Sequence, residues 1–206
     1  DGTMIAAIKL DINTWERKLF IMDANGSWEK ELNANNPQLN YVNWSPDGEN
    51  IAYGSEEGEL WIINVLTNEN YMVLSKDTIE TNFQLDDISW SPDGKTLLFL
   101  TPTGGDDFQE CGTIWIVKPD GSDLVRFDSP SGYCILSAAW SVKQDVAFSW
   151  IPITDGEYGE EESLILNVDS LFYEKLEEAI IIESDLYYPQ YIYCGPGYGA
   201  CYVEGN

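Results

Sequence analysis

The sequence contains no histidine at all. That absence excludes Ser-His-Asp and Cys-His nucleophilic catalysis, and it excludes zinc and haem centres ligated by imidazole. Basic residues are scarce too: 10 Lys and Arg stand against 36 Asp and Glu, for a net charge of −26. A nucleic-acid binder neutralises phosphates with Lys and Arg, so nucleic acid is not an expected partner, and anionic lipid surfaces fail for the same reason. Cations, saline surroundings or a basic protein partner fit this charge, which also keeps a secreted or surface protein soluble. The chain has no run of eighteen apolar residues, so no transmembrane helix is expected, and its opening Asp1-Gly2-Thr3 has no basic leader region. None of the four cysteines forms a Cys-x-x-Cys pair, which argues against zinc-ribbon or thioredoxin-like chemistry. No Gly-x-Ser-x-Gly elbow occurs, and the glycine-rich Gly195-Pro196-Gly197-Tyr198-Gly199 reads as a β-turn rather than a phosphate loop before a helix. No catalytic or cofactor-binding residue is therefore assigned; with this many acids, a pairing of carboxylates carries no information.

What the sequence does have is a globular composition, 44% hydrophobic and 13% aromatic, and an internal repeat. Trp44-Ser45-Pro46-Asp47-Gly48 recurs as Trp90-Ser91-Pro92-Asp93-Gly94, 46 residues on. A degraded copy, Trp140-Ser141-Val142-Lys143, follows 50 residues later, and Cys194-Gly195-Pro196-Gly197 follows after 54 more. Each copy is trailed by short apolar runs: Asn50–Tyr53, Thr96–Phe99 and Asp145–Phe148; then Leu60–Ile63, Thr113–Val117 and Ser163–Leu166; then Tyr71–Leu74, Leu124–Phe127 and Glu178–Ile182. These runs are β-branched or aromatic and are bounded by Gly, Pro, Asn and Asp, as strands are. Asp23-Ala24-Asn25-Gly26 and Lys118-Pro119-Asp120-Gly121 are tight-turn sequences at equivalent places. With the strand leading into each motif, every unit has four strands, and units of that size and period are propeller blades. The expectation is an all-β propeller of about four visible blades: units near 1–40, 41–86, 87–136 and 137–187, with a partial unit at 188–206. Trp44, Trp90 and Trp140 are expected to be wedges between blades, and Pro46, Asp47, Gly48, Pro92, Asp93 and Gly94 to be turn formers.

The Trp-Ser-Pro-Asp-Gly motif, the Ile-Ala-Tyr type of strand after it, and Ile114-Trp115-Ile116-Val117-Lys118-Pro119-Asp120-Gly121 resemble the WD-like repeat of TolB-like β-propellers over nearly the whole chain. The resemblance implies the fold, with protein binding as a common use. The same repeat occurs in propellers of prolyl-oligopeptidase-like proteases. Asp1-Gly2-Thr3-Met4-Ile5 aligns with Asp47-Gly48-Glu49-Asn50-Ile51, and Cys201–Gly205 aligns with the start of another unit. Both ends thus read as cut through a blade. A piece of a larger propeller is favoured over a four-bladed ring closed by its C-terminal strand.

Cys194 takes the column of Trp44 and Cys201 that of Ile51, which face each other across a hairpin; the repeat therefore favours a Cys194–Cys201 bridge and leaves Cys111–Cys134 as the second. Bridges imply an extracytoplasmic compartment, and four reduced thiols would imply the cytosol. Acidic loops at 106–110 and 155–162 offer Asp106, Asp107, Glu110, Asp155 and Glu157 as calcium candidates, although neither has the twelve-residue calcium pattern and a solvated loop is the simpler reading. No cofactor is otherwise implied. Tyrosines 187, 188, 191, 193, 198 and 202 cluster near the C-terminus and read as strand residues. Asn25-Gly26-Ser27 is a usable glycosylation sequon in a turn, whereas Asn43-Trp44-Ser45 lies beside a buried tryptophan. The expected function is a non-catalytic extracytoplasmic propeller that binds a protein partner or serves as a scaffold. The alternatives are the propeller domain of a larger prolyl-oligopeptidase-like hydrolase and a structural part of a surface layer or other large assembly.

Overall fold

The computed structural model describes residues 3–35, 39–55, 57–79, 85–102, 111–154, 156–168 and 172–175, with two dipeptide strands at 192–193 and 202–203. Short β-rich runs separated by glycine and Asx turns leave little room for helix, and the one helix, α1 (Lys76–Ile79), is a single turn. The first sheet is β1 (Met4–Leu10), β2 (Arg17–Asp23) and β3 (Glu29–Leu32) in that order. The second is β4 (Leu39–Trp44), β5 (Asn50–Ser55), β6 (Leu60–Asn64) and β7 (Asn70–Leu74). Next come β8 (Asp86–Trp90), β9 (Leu97–Pro102), β10 (Gly112–Val117) and β11 (Val125–Phe127), again paired in chain order. The fourth group is β12 (Tyr133–Trp140), β13 (Val146–Thr154), the small β14 (Glu157–Tyr158), β15 (Glu162–Asn167) and β16 (Phe172–Lys175). A pair of two-residue strands, β17 (Ile192–Tyr193) and β18 (Tyr202–Val203), follows. All pairings are antiparallel, the up-and-down order of propeller blades.

The outer strand of the fourth blade lies elsewhere than expected. β16 forms at Phe172–Lys175, with Leu164 opposite Lys175 and Asn167 opposite Phe172. The chain turns back directly after Asn167, so the short Phe-Tyr-Glu-Lys run reaches the sheet edge first. The more apolar run at 178–182 had suggested a strand; it lies outside the described residues.

The core is divided among the gaps between blades. One cluster joins Leu19, Ile21 and Leu32 of the first blade to Leu39, Ile51, Tyr53 and Ile63 of the second, with Met4, Ala6, Ile8 and Trp44 packed against it. A second joins Ala52, Leu60 and Ile62 to Ile88, Trp90, Phe99 and Trp115 of the third blade. A third joins Leu98, Leu100, Ile114 and Ile116 to Trp140, Phe148 and Trp150 of the fourth. Trp90 and Trp140 fill these gaps and are only 3% and 2% exposed. Trp90 also donates from Nε1 to the carbonyl of Asn43 at 3.2 Å, and its amide donates to Asn43 Oδ1 at 3.3 Å. Trp140 Nε1 points in the same way at the carbonyl of Ser89, at 3.4 Å. Truncating such a ring to alanine costs about 3–5 kcal/mol, whereas one such hydrogen bond contributes about 1 kcal/mol. Packing therefore dominates the energy, and the indole bond fixes the register of one blade on the next.

The motif turn is held by its own side chains. Ser45 Oγ accepts from the amide of Asn50 at 2.9 Å and donates to Asp47 Oδ1 at 2.5 Å, while Gly48 N–H closes the turn onto the Ser45 carbonyl at 2.9 Å. Ser91, Asp93 and Gly94 repeat the arrangement, with Ser91 Oγ donating to Asp93 at 2.7 Å. Such a turn needs a left-handed residue at its fourth position, and Gly48 and Gly94 supply φ of 75° and 72°. In the degraded copy Ser141 still caps Asp145, but Gln144 takes that place at φ 70°. A side chain there costs about 1–2 kcal/mol. Replacing Gln144 by glycine is accordingly expected to stabilise the chain by about 1 kcal/mol. Urea denaturation should show the midpoint rising with the slope unchanged; a midpoint that falls or stays put would contradict this account of the turn.

Candidate functional site

Each inner strand carries an irregularity shortly before its tryptophan. Register shifts fall between Asn40 and Val42 in β4, between Asp86 and Ser89 in β8, and between Ile135 and Ser137 in β12. A bulge re-aims side chains out of the alternating pattern and is common beside functional sites. Two of the affected residues adopt left-handed backbone, Tyr41 at φ 41° and Asp87 at φ 50°. Positive φ at a bulky tyrosine is costly and persists only where surrounding structure enforces it.

The three irregular segments converge on one cavity of about 210 Å3. Tyr41 comes from the second blade, Asp86 and Asp87 from the third, and Leu136 from the fourth; Leu100, Pro102 and Gly112 complete the wall. Leu100 and Pro102 end β9 and Gly112 begins β10, so the cavity lies at the rim from which the β9–β10 connection leaves the blade. Its chemistry is acidic. Burial pushes the Asp87 carboxyl up to about 6, and the neighbouring Asp86 carboxylate pushes in the same direction, with the Ala138 amide opposing both. A cation entering the cavity would relieve the repulsion between two adjacent acids.

One wall is fixed covalently. Cys111 and Cys134 form a disulfide, with Cα atoms 4.7 Å apart. Immediately beside it Gly112 pairs with Ile135, tying β10 of the third blade to β12 of the fourth. A Cβ on Gly112 would sit 3.3 Å from the Ile135 carbonyl oxygen, so glycine permits that close approach. On the first blade, the β1–β2 turn holds Trp15 70% exposed and Ile12 66% exposed. That turn is shaped by Asp11, whose carboxylate accepts from the amides of Asn13 and Thr14.

The sequence-assigned residues fall into three groups. Trp44, Trp90 and Trp140 line the blade gaps, and the Pro-Asp-Gly residues form the motif turns, away from the cavity. Cys111 and Cys134 lie beside it. Asp106, Asp107, Glu110, Asp155, Cys194 and Cys201 lie outside the described residues. Glu157 is exposed in β14, and no group of three potential metal ligands occurs among the described residues. The columns that Cys194 and Cys201 occupy are directly opposed where they are described, with Trp44 paired to Ile51. Sequence reasoning missed Tyr41, Asp86, Asp87 and Leu136. The available signal was an acidic pair opening a strand that is otherwise buried on both faces.

No family model matches the sequence, and no curated protein matches it. Solved structures do match in fold. The putative TolB from Agrobacterium tumefaciens superposes with a TM-score of 0.63 at 19% identity, over 85% of this chain and 61% of that one. The β-propeller domain of the Trilobed protease from Pyrococcus furiosus gives 0.59 at 17%, over 86% and 55%. The Pyrococcus horikoshii acylaminoacyl peptidase gives 0.63 at 17%, over 86% and 31%. The chain has the TolB-like β-propeller fold and spans less than two thirds of each of these proteins.

The cavity acids give a pH signature. Asp87 titrates near 6 in the folded chain and near 4 when unfolded. Between those values the folded chain holds the extra proton, so this group makes stability fall as pH rises from about 4 to 6 and level off above. Asp47 has the opposite sign: the Ser45 hydroxyl and then the Glu49 amide lower its pKa, so its contribution is present at higher pH and lost in acid. Replacing Asp87 by asparagine is expected to remove the decline between pH 4 and 6 in a series of melting temperatures; an unchanged profile would refute the buried-acid assignment.

Reduction of the Cys111–Cys134 bridge, or its replacement by serines, is expected to cost about 2–4 kcal/mol. Urea midpoints with and without reductant provide the measure, and equal midpoints would show that the bridge does not constrain the unfolded chain.

Proposed function

We propose that this propeller is a non-catalytic, extracytoplasmic protein-binding module that receives a basic segment of its partner at the rim cavity. The observation that carries the reading is the Asp86–Asp87 pair lining a cavity between three blades on a chain of net charge −26. A cavity of about 210 Å3 accommodates one side chain, and a guanidinium or ammonium group is the complement of two adjacent carboxylates. The surrounding negative field would speed encounter with a basic partner and make binding sensitive to salt. The Cys111–Cys134 disulfide supports an oxidising compartment.

The second reading is a propeller domain of a larger hydrolase, favoured by the fold likeness to peptidases. In that case the nucleophile and its base belong to a separate domain, and this cavity would help admit or orient a peptide.

Titration with acetyl-Gly-Arg-Gly-amide, and with its Glu counterpart as control, tests the cavity. The Arg peptide is expected to shift the resonances of Asp87 and Leu136, to weaken with added salt, and to lose about tenfold in affinity in the Asp86→Asn, Asp87→Asn double variant, the loss expected for a hydrogen bond to a charged group. Equal binding of both peptides, or unchanged affinity in the variant, would overturn the assignment.

A further inference from the structure

The first blade differs from its neighbours at its inner edge. Among the described residues the second and third blades have four strands, whereas the first has three, and β1 is paired only with β2. By the repeat, β1 corresponds to β5 and β9, the strands that follow the motif turn. β5 and β9 are buried along nearly their whole length, each covered on one side by an inner strand, β4 or β8. β1 is half-buried from Met4 to Ile8 except at Ala7, and Ile5 and Ile8 keep part of their apolar surface in solvent. A row of unpaired backbone donors and acceptors beside apolar side chains is a template for a further strand.

A second observation fixes what belongs there. Trp90 Nε1 donates to the Asn43 carbonyl, and Trp140 Nε1 to the Ser89 carbonyl. Both acceptors are inner-strand residues of the preceding blade, and they face equivalent partners, Ala52 for Asn43 and Leu98 for Ser89. Trp44 stands in the same column, packed against the cluster that contains Met4, Ala6 and Ile8. Its Nε1 is buried and has no hydrogen-bond partner. A buried indole N–H without an acceptor carries a desolvation penalty that its two counterparts avoid. The position equivalent to Ala52 and Leu98 is Ala6, so the missing carbonyl belongs to a residue lying opposite Ala6.

We propose that β1 is a docking edge for a partner strand supplied from outside these 206 residues. The strand runs antiparallel to β1, fills the inner place of the first blade, and offers the carbonyl opposite Ala6 to Trp44 Nε1. Its chemistry follows from the strands already in that place: an extended segment without proline at its hydrogen-bonding positions, with apolar residues on the face toward Trp44 and small or polar ones between. Main-chain bonds supply affinity and the alternating side chains supply register, as in other strand additions. This edge is separate from the Asp86–Asp87 cavity, so the two proposals stand or fall independently.

The probe is a synthetic peptide with the sequence of residues 39–46, Leu-Asn-Tyr-Val-Asn-Trp-Ser-Pro. It is titrated into the 206-residue chain carrying 15N-labelled tryptophan, with the peptide unlabelled. The expected result is a downfield shift and slowed solvent exchange of the Trp44 indole proton, with those of Trp90 and Trp140 unmoved. The variant Trp44→Phe, which keeps an aromatic wedge, should still bind the peptide but about five- to tenfold more weakly, the loss expected of one indole hydrogen bond. A version of the peptide with N-methylated amides on its β1-facing side should not bind. Lack of any Trp44 response at millimolar peptide would overturn the proposal. So would a Trp44 indole proton already as protected as those of Trp90 and Trp140 in the free chain, because the inner place would then be filled by this chain itself.

Discussion

The contact on which the rest of the structure depends is a tryptophan wedged between neighbouring sheets, with its indole N–H bonded to the inner strand of the blade before it. Twisted four-stranded sheets that fan from a common centre leave a gap that ordinary aliphatic side chains fill poorly. Trp90 and Trp140 close such gaps with large rings, and their Nε1 atoms take up the carbonyls of Asn43 and Ser89. The bond ties position along one strand to position along the next, so each blade is set in height and rotation by its predecessor. Every functional feature of the rim inherits its geometry from that setting.

The motif turn serves the same constraint from the other end of the strand. Serine bonds the returning amide, aspartate bonds the serine hydroxyl, and a left-handed residue closes the turn. The tryptophan is thus delivered by a turn with little freedom, and its ring enters the gap at a fixed angle. The fourth blade keeps the serine cap after losing Pro, Asp and Gly, which explains why a degraded motif still carries a fully buried wedge.

At the opposite end of the inner strands, regularity gives way. Bulges in β4, β8 and β12 release Tyr41, Asp87 and Leu136 from the sheet pattern, and the three segments meet around one cavity. The bridge between Cys111 and Cys134, with the Gly112–Ile135 pairing beside it, locks two blades together at that wall. A rigid rim with a buried acid pair can discriminate by charge and by fit at once, because little of the binding energy is spent on ordering it.

The order of strands and their grouping into blades were legible in the sequence because both are local. Alternating apolar runs, Asn-Gly and Pro-Asp-Gly turns and a 46-residue spacing are properties of neighbouring residues, and they specify one blade without reference to any other. Where local signals conflicted, the reading slipped: Phe172–Lys175 became a strand because a tight turn delivered it to the edge first, a matter of geometry that hydrophobicity does not report. The absence of histidine and the excess of acid limited the chemistry from the outset. The cavity was decided only by tertiary structure, since Tyr41, Asp87 and Leu136 come from three blades and each is unremarkable in its own segment. The same holds for the Trp44 indole. Its sequence context matches that of Trp90 for five consecutive residues, but whether its N–H finds a carbonyl depends on the neighbouring blade, and no local pattern encodes what stands there.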